Sequence, residues 1–309
     1  MFWRAWRKPA DNRLGEEIRE IREELRTVRA LLERLLNQQA THAPDPSPAP
    51  PVDRPMPSPR PDPEQLLTQL TQWLMARRLR MNSYLQNQYR GPMDEEMYHL
   101  GFFMSQHYPV VAAFLAELRA TLSRPRRIYF PLPATISADE LAILTNIATR
   151  LYRLRILYQY LYDRSRGQIM AWVDAHPESR NYLSGAWFEM GVFQAVRKKL
   201  GNAPALLLRD VQLNCDGGGN CELDILIYLH NGDRRLVLLE CKSGVGGLKP
   251  EEIPQVRRAV NLLNLGIQRA AVVLPEPPAK HLADQWTQQT GASIIGFSQL
   301  DAFLQQALA

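Results

Sequence analysis

Three charged side chains, Asp224, Glu240 and Lys242, fall within two apolar stretches, where a charge is costly unless a partner offsets it. Residues 221–229 alternate between two faces with the period of a β-strand, and residues 235–242 do the same. Glu240 and Lys242 therefore share a face. Two converging carboxylates are ligands that a divalent cation binds, so the pattern predicts a metal site at the ends of two strands.

The turn between the two stretches decides whether Asp224 and Glu240 can converge. Asn231-Gly232 is typical of a two-residue hairpin loop, which would place Asp224 opposite Leu239. A three-residue loop instead places Asp224 opposite Glu240. We therefore expect an odd-length loop or a bulge. Asp224 and Glu240 on opposite faces of the sheet would exclude the metal site.

Further predicted elements flank this hairpin. Residues 183–196 are apolar nearly all round, as in a buried helix, and Glu189 is their only charge. The predicted order is helix (183–196), three strands (206–215, 221–229, 235–242), helix (250–263), strand (269–274), helix (278–290), strand (292–297) and a final helix (298–308). Strict alternation in the second strand puts Leu223 on the same face as Ile225 and Ile227.

Three motifs contain the charged residues: GAWFEMGVF with Glu189, NCELDIL with Asp224, and LLECKSG with Glu240 and Lys242. Together with the element order, they resemble the PD-(D/E)xK nuclease superfamily. More narrowly, they resemble the nuclease domain of CRISPR-associated ancillary nucleases that carry a cyclic-oligonucleotide sensor, over residues 182–308. This resemblance implies an α/β fold with a restriction-endonuclease-like αβββαβ core. It also implies a divalent-metal-dependent phosphodiesterase that acts on DNA or RNA.

The resemblance further implies a role for each residue. Asp224 and Glu240 would bind the metal together with the backbone carbonyl of Cys241, and Glu189 would bind it directly or through water. Lys242 would orient or activate the attacking water. Hard oxygen ligands suit Mg²⁺ or Mn²⁺, which lower the pKa of bound water and offset the charge that builds on the phosphate.

Glu222 and Gln255 are two further candidates. Glu222 shares a face with Asp224, so it is either another ligand or a solvent-facing carboxylate. Gln255 follows the third strand, on the helix where many members of the superfamily place a substrate or water contact. It is equally compatible with an ordinary polar position on a helix.

The N-terminal region predicts an assembly module in place of a sensor. No βαβ alternation or glycine-rich strand-to-helix turn precedes the nuclease-like motifs, so the resemblance does not extend to a Rossmann-like sensor domain. Apolar residues recur at steps of four and three, which indicates a coiled coil within residues 1–40. Glu17 would meet Arg22 of a parallel neighbour, so we expect a parallel homo-oligomer through residues 14–36. A helix docked on the body of the same chain is the alternative.

The remaining chain divides by composition. Residues 41–63 form a proline-rich linker, since half of residues 44–63 are proline and such a sequence stays extended. Residues 64–124 predict an all-helical accessory domain, with helices at 64–88 and 93–123. Residues 125–309 form the nuclease-like domain with leading helices, one of which is predicted at 138–164.

Basic and aromatic residues are interleaved near the start of this last region. Such a mixture suits a nucleic-acid backbone and its bases. The alternative is a solvated helix face above a tyrosine-lined core. The candidate contacts are Arg124, Arg126, Arg127, Arg150 and Arg153.

Composition excludes several other classes of protein. The formal net charge of +5 favours a polyanionic partner. No apolar run reaches the ~20 residues of a membrane span and the N-terminus lacks a signal-peptide core, so we expect a cytoplasmic protein without a transmembrane segment. The three cysteines are too few and too badly spaced for a zinc site.

Three functions remain open. The first is an oligomeric metal-dependent nuclease in defence against foreign nucleic acid. The second is a non-catalytic nucleic-acid-binding or assembly protein on a nuclease-like fold. The third, a DNA repair or restriction endonuclease, shares the chemistry of the first and differs from it in biology.

Overall fold

The structure is a computed structural model that describes residues 62–86, 89, 91–123, 127–215, 219–231, 233–244 and 247–309. The predicted coiled coil and nearly all of the predicted linker lie outside these residues. The described residues belong to one compact unit.

Nine strands form two sheets within the described residues. The strands are β1 (Leu79–Gln86), β2 (Arg127–Pro131), β3 (Leu157–Asp163), β4 (Gln168–Val173), β5 (Ala205–Cys215), β6 (Asn220–Asn231), β7 (Asp233–Cys241), β8 (Ala270–Leu274) and β9 (Ser293–Gly296). The larger sheet has the order β1-β5-β6-β7-β8-β9, and the smaller one has the order β2-β4-β3. Within the larger sheet, the strands β1, β5, β6 and β7 pair antiparallel, and β7, β8 and β9 pair parallel.

Helices connect these strands. They are α1 (Pro63–Met75), α2 (Pro92–Gln106), α3 (Tyr108–Ala120), α4 (Ala138–Arg153), α5 (Pro177–Asn181), α6 (Trp187–Leu200), α7 (Ile253–Leu263), α8 (Lys280–Thr290) and α9 (Leu300–Leu308). A π-helical turn, Tyr182–Ala186, leads into α6, and a 3₁₀ turn, Phe297–Gln299, leads into α9.

Apolar side chains from helices cover both faces of the six-stranded sheet. One cluster joins the sheet to α2, α3, α6 and α9, and the other joins it to α1, α7 and α8. A sheet with two apolar faces requires helices on both sides, because burial of apolar surface drives the packing. The fold is therefore α/β, as the sequence predicts.

The elements from α6 to α9 follow the predicted order. Local signals explain where two helices stop: Asn264 follows α7 and Gly291 follows α8, and both have the left-handed backbone that terminates helices. The smaller sheet packs against α4, which begins with a capping box between Ser137 and Glu140.

Two predicted helices are too long, because a strand replaces the second part of each. The helix predicted at 64–88 ends at Met75, and β1 follows it, so the region 64–124 is not all-helical. The helix predicted at 138–164 ends at Arg153, and β3 begins at Leu157. β1 pairs with the distant strand β5, and β3 forms a hairpin with β4, which follows it in the chain. Such pairing outweighs the helical preference of a short stretch.

Candidate metal centre

The hairpin of β6 and β7 adopts the odd-length register. Ile225 lies opposite Leu239, and the next position along the two strands brings Asp224 to the level of Glu240. The register prediction is thus confirmed. Lys242 joins them: its Nζ lies 3.9 Å from Asp224 Oδ2 and 3.7 Å from Glu240 Oε2. The arrangement that would have excluded a metal site is not present.

The alternation of faces along β6 changes at Asp224. Leu223 packs in the same cluster as Leu226, whereas Ile225 packs in the cluster on the other face of the sheet. The prediction that Leu223 and Ile225 share a face is therefore wrong. Strict alternation fails because Asp224, which lies between them, departs from the regular pleat of the strand.

Asp210 on the neighbouring strand β5 lies at the same irregularity. The residues on either side of Asp210 pair with those on either side of Asp224, but these two aspartates are not paired with each other. Asp210 has a left-handed backbone, with φ of 51°, which aspartate adopts more readily than most residues. Sequence reasoning missed Asp210, although a charge in the middle of an apolar strand was a visible signal.

Glu189 stands in the first turn of α6, directly after the π-helical turn. The pKa of Glu189 is raised to about 7, first by burial and then by the charges of Asp224 and Asp210, while Arg209 and Lys242 oppose the rise. Glu189 is therefore within electrostatic reach of Asp224 and Lys242, although the two elements that present them are far apart in the sequence.

Glu240 is the most buried of the clustered acids, with 6% of its surface exposed. Its Oε1 is buried without a hydrogen-bond partner, and burial followed by the charge of Asp224 raises the pKa of Glu240 well above its usual value. Burial also raises the pKa of Asp224, although the charge of Lys242 and a hydrogen bond from the Cys241 N–H both lower it. The Cys241 N–H donates to Asp224 Oδ2 at 2.6 Å. Burial alone would lower the pKa of Lys242, but the two carboxylates outweigh it and raise that pKa.

These features fit a divalent cation of the Mg²⁺ or Mn²⁺ type. The raised pKa values of the buried carboxylates show that their surroundings supply too little positive charge to stabilise the ionised form. Glu240 Oε1, which has no hydrogen-bond partner, is an available hard ligand. Within the described part of the chain, no group of three His, Cys, Asp or Glu side chains is placed to hold a metal ion alone. An ion would therefore need oxygen atoms from water, substrate phosphate or a backbone carbonyl such as that of Cys241, as Mg²⁺ sites commonly do.

Arg119 on α3 holds the segment that follows Lys242. Its Nε donates to the Leu183 carbonyl at 2.8 Å, its Nη1 to the Ser243 carbonyl at 2.9 Å and its Nη2 to Ser243 Oγ at 3.1 Å. Burial lowers the pKa of Arg119. Arg119 thus joins the π-helical turn before Glu189 to the loop after Lys242. The sequence holds no signal for this role, because two of the three acceptors are backbone oxygens.

A cleft of about 520 Å³ opens onto Asp224, Glu240 and Lys242. The two further candidates, Glu222 and Gln255, are exposed and line this cleft. Arg258, one turn after Gln255 on α7, lines it too and was missed by sequence reasoning. A larger cavity of about 890 Å³ lies among α2, α6 and α9 and contains none of these residues.

The predicted nucleic-acid contacts are spread over different environments. Arg124 and Arg126 lie outside the described residues, whereas Arg127 is exposed on β2 and Arg153 is exposed at the end of α4. Arg150 is held inside the fold, because its Nε donates to Glu96 Oε1 at 2.6 Å. Of the described candidates, Arg127, Arg150 and Arg153, none lines the cleft that contains the carboxylates.

The sequence matches no protein-family model, and no curated protein matches it. The fold is similar to that of Can2 from Sulfobacillus thermosulfidooxidans, solved in complex with cyclic tetra-adenylate, with 16% identity over 77% of this chain and 60% of that chain and a TM-score of 0.51. Protein VC1899 from Vibrio cholerae gives 19% identity over 76% of this chain and 59% of that chain, with a TM-score of 0.49. The match spans about three fifths of the length of both neighbours, and at this identity the likeness to Can2 concerns the fold alone.

In the part of the chain that the structure describes, no helix combines the length and the apolar character required to cross a membrane.

Proposed function

We propose that the protein is a metal-dependent nuclease that hydrolyses phosphodiester bonds of DNA or RNA. The observation behind the proposal is the register of β6 and β7, which brings Asp224 level with Glu240 while Lys242 lies within 4 Å of both. A buried carboxylate oxygen with no hydrogen-bond partner, Glu240 Oε1, lies at the same place. Such an arrangement is costly for folding, and a bound cation with a phosphate substrate offsets the cost.

Each residue has a defined task in this proposal. Asp224 and Glu240 would hold a Mg²⁺ or Mn²⁺ ion, with Glu189 and the Cys241 carbonyl as further ligands. The ion would lower the pKa of a bound water and offset charge on the phosphate. The ammonium of Lys242, kept charged by the two carboxylates, donates hydrogen bonds that orient the attacking water or a phosphate oxygen.

Two further observations support the proposal. The elements α6, β5, β6, β7, α7 and β8 follow the αβββαβ order of the restriction-endonuclease-like core that the motifs imply. The likeness of fold to Can2, a protein solved with cyclic tetra-adenylate, agrees with the resemblance of the motifs to CRISPR-associated ancillary nucleases. We therefore include defence against foreign nucleic acid in the proposal. Parallel oligomerisation through residues 14–36 and a cytoplasmic location also belong to it.

The test is a cleavage assay with the full chain. Purified protein is incubated with Mg²⁺ or Mn²⁺ and a panel of single- and double-stranded DNA and RNA, beside Asp224→Asn and Lys242→Met. Glu251→Gln serves as the matched control, because Glu251 is an exposed acid outside the cluster. We expect metal-dependent cutting that both cluster variants lose and the control retains.

Two results would contradict the proposal. Cutting that survives Asp224→Asn and Lys242→Met would place the chemistry elsewhere. Binding of nucleic acid by the unchanged protein, without cutting in either metal, would instead favour the non-catalytic binding protein on the same fold.

A further inference from the structure

The outer face of the three-stranded sheet is exposed. Its other face is buried against the helices through Ile128, Ile169 and Ala171. The outward side chains form two neighbouring rows across the sheet. The first row contains Arg127, Trp172 and Gln159, and the second contains Tyr129, Met170 and Leu161. Tyr129 is 52% exposed and Leu161 is 51% exposed. Large apolar side chains on such a face indicate a surface for binding.

Arg127, Trp172 and Tyr129 form a connected group on this face. The guanidinium carbon of Arg127 lies 3.5 Å from the centroid of the Trp172 ring, and Arg127 Nη1 donates to Tyr129 Oη at 3.0 Å. Among the described residues, no carboxylate lies within ion-pair distance of Arg127. Arg127 therefore holds a positive charge in a defined position that no acidic side chain of the described segments neutralises.

This combination favours a ligand with flat rings and negative charge. An exposed tyrosine ring and an arginine plane backed by tryptophan provide stacking surfaces for unpaired bases, and the unneutralised guanidinium attracts phosphate. The exposed Arg164, in the turn between β3 and β4, adds positive charge at one end of the same sheet, whereas Arg166 beside it is paired with Asp163 at 3.8 Å. Duplex bases are already stacked on each other, so they cannot use these rings.

We propose that the outer face of the β2-β4-β3 sheet binds single-stranded nucleic acid, with bases stacked on Tyr129 and on the Arg127–Trp172 pair. The inference goes beyond the proposed function, because the surface belongs to a different sheet from the carboxylates and binds whether or not they cleave. For a nuclease, such a surface retains a strand near the enzyme between cuts.

The test measures binding separately from cleavage. The full chain with Glu240→Gln, in EDTA, is titrated into fluorescein-labelled single-stranded DNA and RNA oligonucleotides, and fluorescence anisotropy gives the dissociation constant. In this background, Tyr129→Ala and Arg127→Gln are each expected to weaken binding about 5- to 150-fold, the range for loss of one stacked base. Tyr129→Phe keeps the ring and is expected to bind like the parent.

Arg80→Gln is the matched control for charge, because Arg80 is an exposed arginine on a strand of the other sheet. It is expected to change the affinity little, and Tyr129→Ala is expected to leave binding to a duplex of the same sequence nearly unchanged. Equal losses for Arg80→Gln and Arg127→Gln would overturn the proposal in favour of general charge attraction. Unchanged affinity in Tyr129→Ala, or no binding by the parent, would also overturn it. Light scattering supplies a further check on Tyr129→Ala. A changed oligomeric state with unaltered oligonucleotide binding would overturn the proposal and identify a contact between protein chains instead.

Discussion

Replacement of Glu240 by glutamine is expected to stabilise the metal-free protein and to abolish its stabilisation by metal. Glutamine has nearly the same shape as glutamate but carries no charge. Glu240 is buried, its Oε1 has no hydrogen-bond partner, and Asp224 repels its charge. Removal of the charge therefore relieves a cost that only a bound cation would otherwise offset.

The size of the effect follows from the neighbours of Glu240. Lys242 Nζ lies 3.7 Å from Glu240 Oε2, and unit charges at that distance attract by about 4–5 kcal/mol at an effective dielectric constant of ~20. The repulsion from Asp224 contributes more to the pKa of Glu240 than this attraction does, so the attraction to Lys242 does not offset the cost of burial. Lys242 is not left unpaired by the substitution, since Asp224 lies 3.9 Å away. We expect a gain of about 1–3 kcal/mol, within the range found when buried charges are replaced by neutral groups.

The gain must also depend on pH. The folded protein holds the Glu240 proton more tightly than the unfolded chain, in which the pKa is near 4.5. The wild-type protein therefore loses stability as pH rises from 4.5 through the raised pKa, whereas the glutamine variant does not. The advantage of Glu240→Gln should be small at pH 5 and largest at pH 8–9.

Thermal unfolding followed by circular dichroism in EDTA checks these expectations, with Glu251→Gln as the exposed control. For a unit of this size, 1 kcal/mol corresponds to about 2–4 °C in Tm. Added Mn²⁺ at about 100 times its Kd should stabilise the wild-type protein by about 2.7 kcal/mol and the glutamine variant much less. A lower Tm for Glu240→Gln in EDTA at pH 8, or equal stabilisation of both proteins by Mn²⁺, would refute the reasoning.

Three other expectations follow from single features of the structure. If the protein is the proposed nuclease, Arg119→Met should lower kcat by roughly 10²-fold with little change in KM, since it releases the loop after Lys242. Arg119→Lys should recover part of the rate, and full activity in the methionine variant would contradict the role. Mn²⁺ affinity, measured by calorimetry, should fall by at least about tenfold per pH unit below pH 7, because Glu189 with a pKa of about 7 must lose its proton to bind the ion and the raised pKa values of Asp224 and Glu240 steepen the fall. An affinity that is flat from pH 5 to 8 would exclude these carboxylates as ligands. Gly101→Ala should cost about 1–3 kcal/mol in thermal unfolding, because the added methyl group meets the backbone oxygen of Trp187. Gly91→Ala, which has open space, is its control, and equal stability of the two variants would show that α2 and α6 can separate freely.

The sequence alone determined the hairpin and its charges. The alternation of residues 235–242 put Glu240 and Lys242 on one face, and the requirement that Asp224 reach the same place selected the odd-length register that the structure has. Such patterns are local, since the period of a strand depends only on neighbouring residues. The apolar helix around Glu189 is likewise predicted from a local pattern of neighbouring residues.

Only the tertiary structure decided the features that depend on distant segments. Leu79–Gln86 is a strand because β5 pairs with it, more than a hundred residues later in the chain. The change of face at Asp224 needs the left-handed Asp210 on the neighbouring strand. Arg119 acquires its role from backbone oxygens, which every residue has. The charge of Asp210 is visible in the sequence, but pairing, backbone strain and buried hydrogen bonds arise only when separate segments pack together.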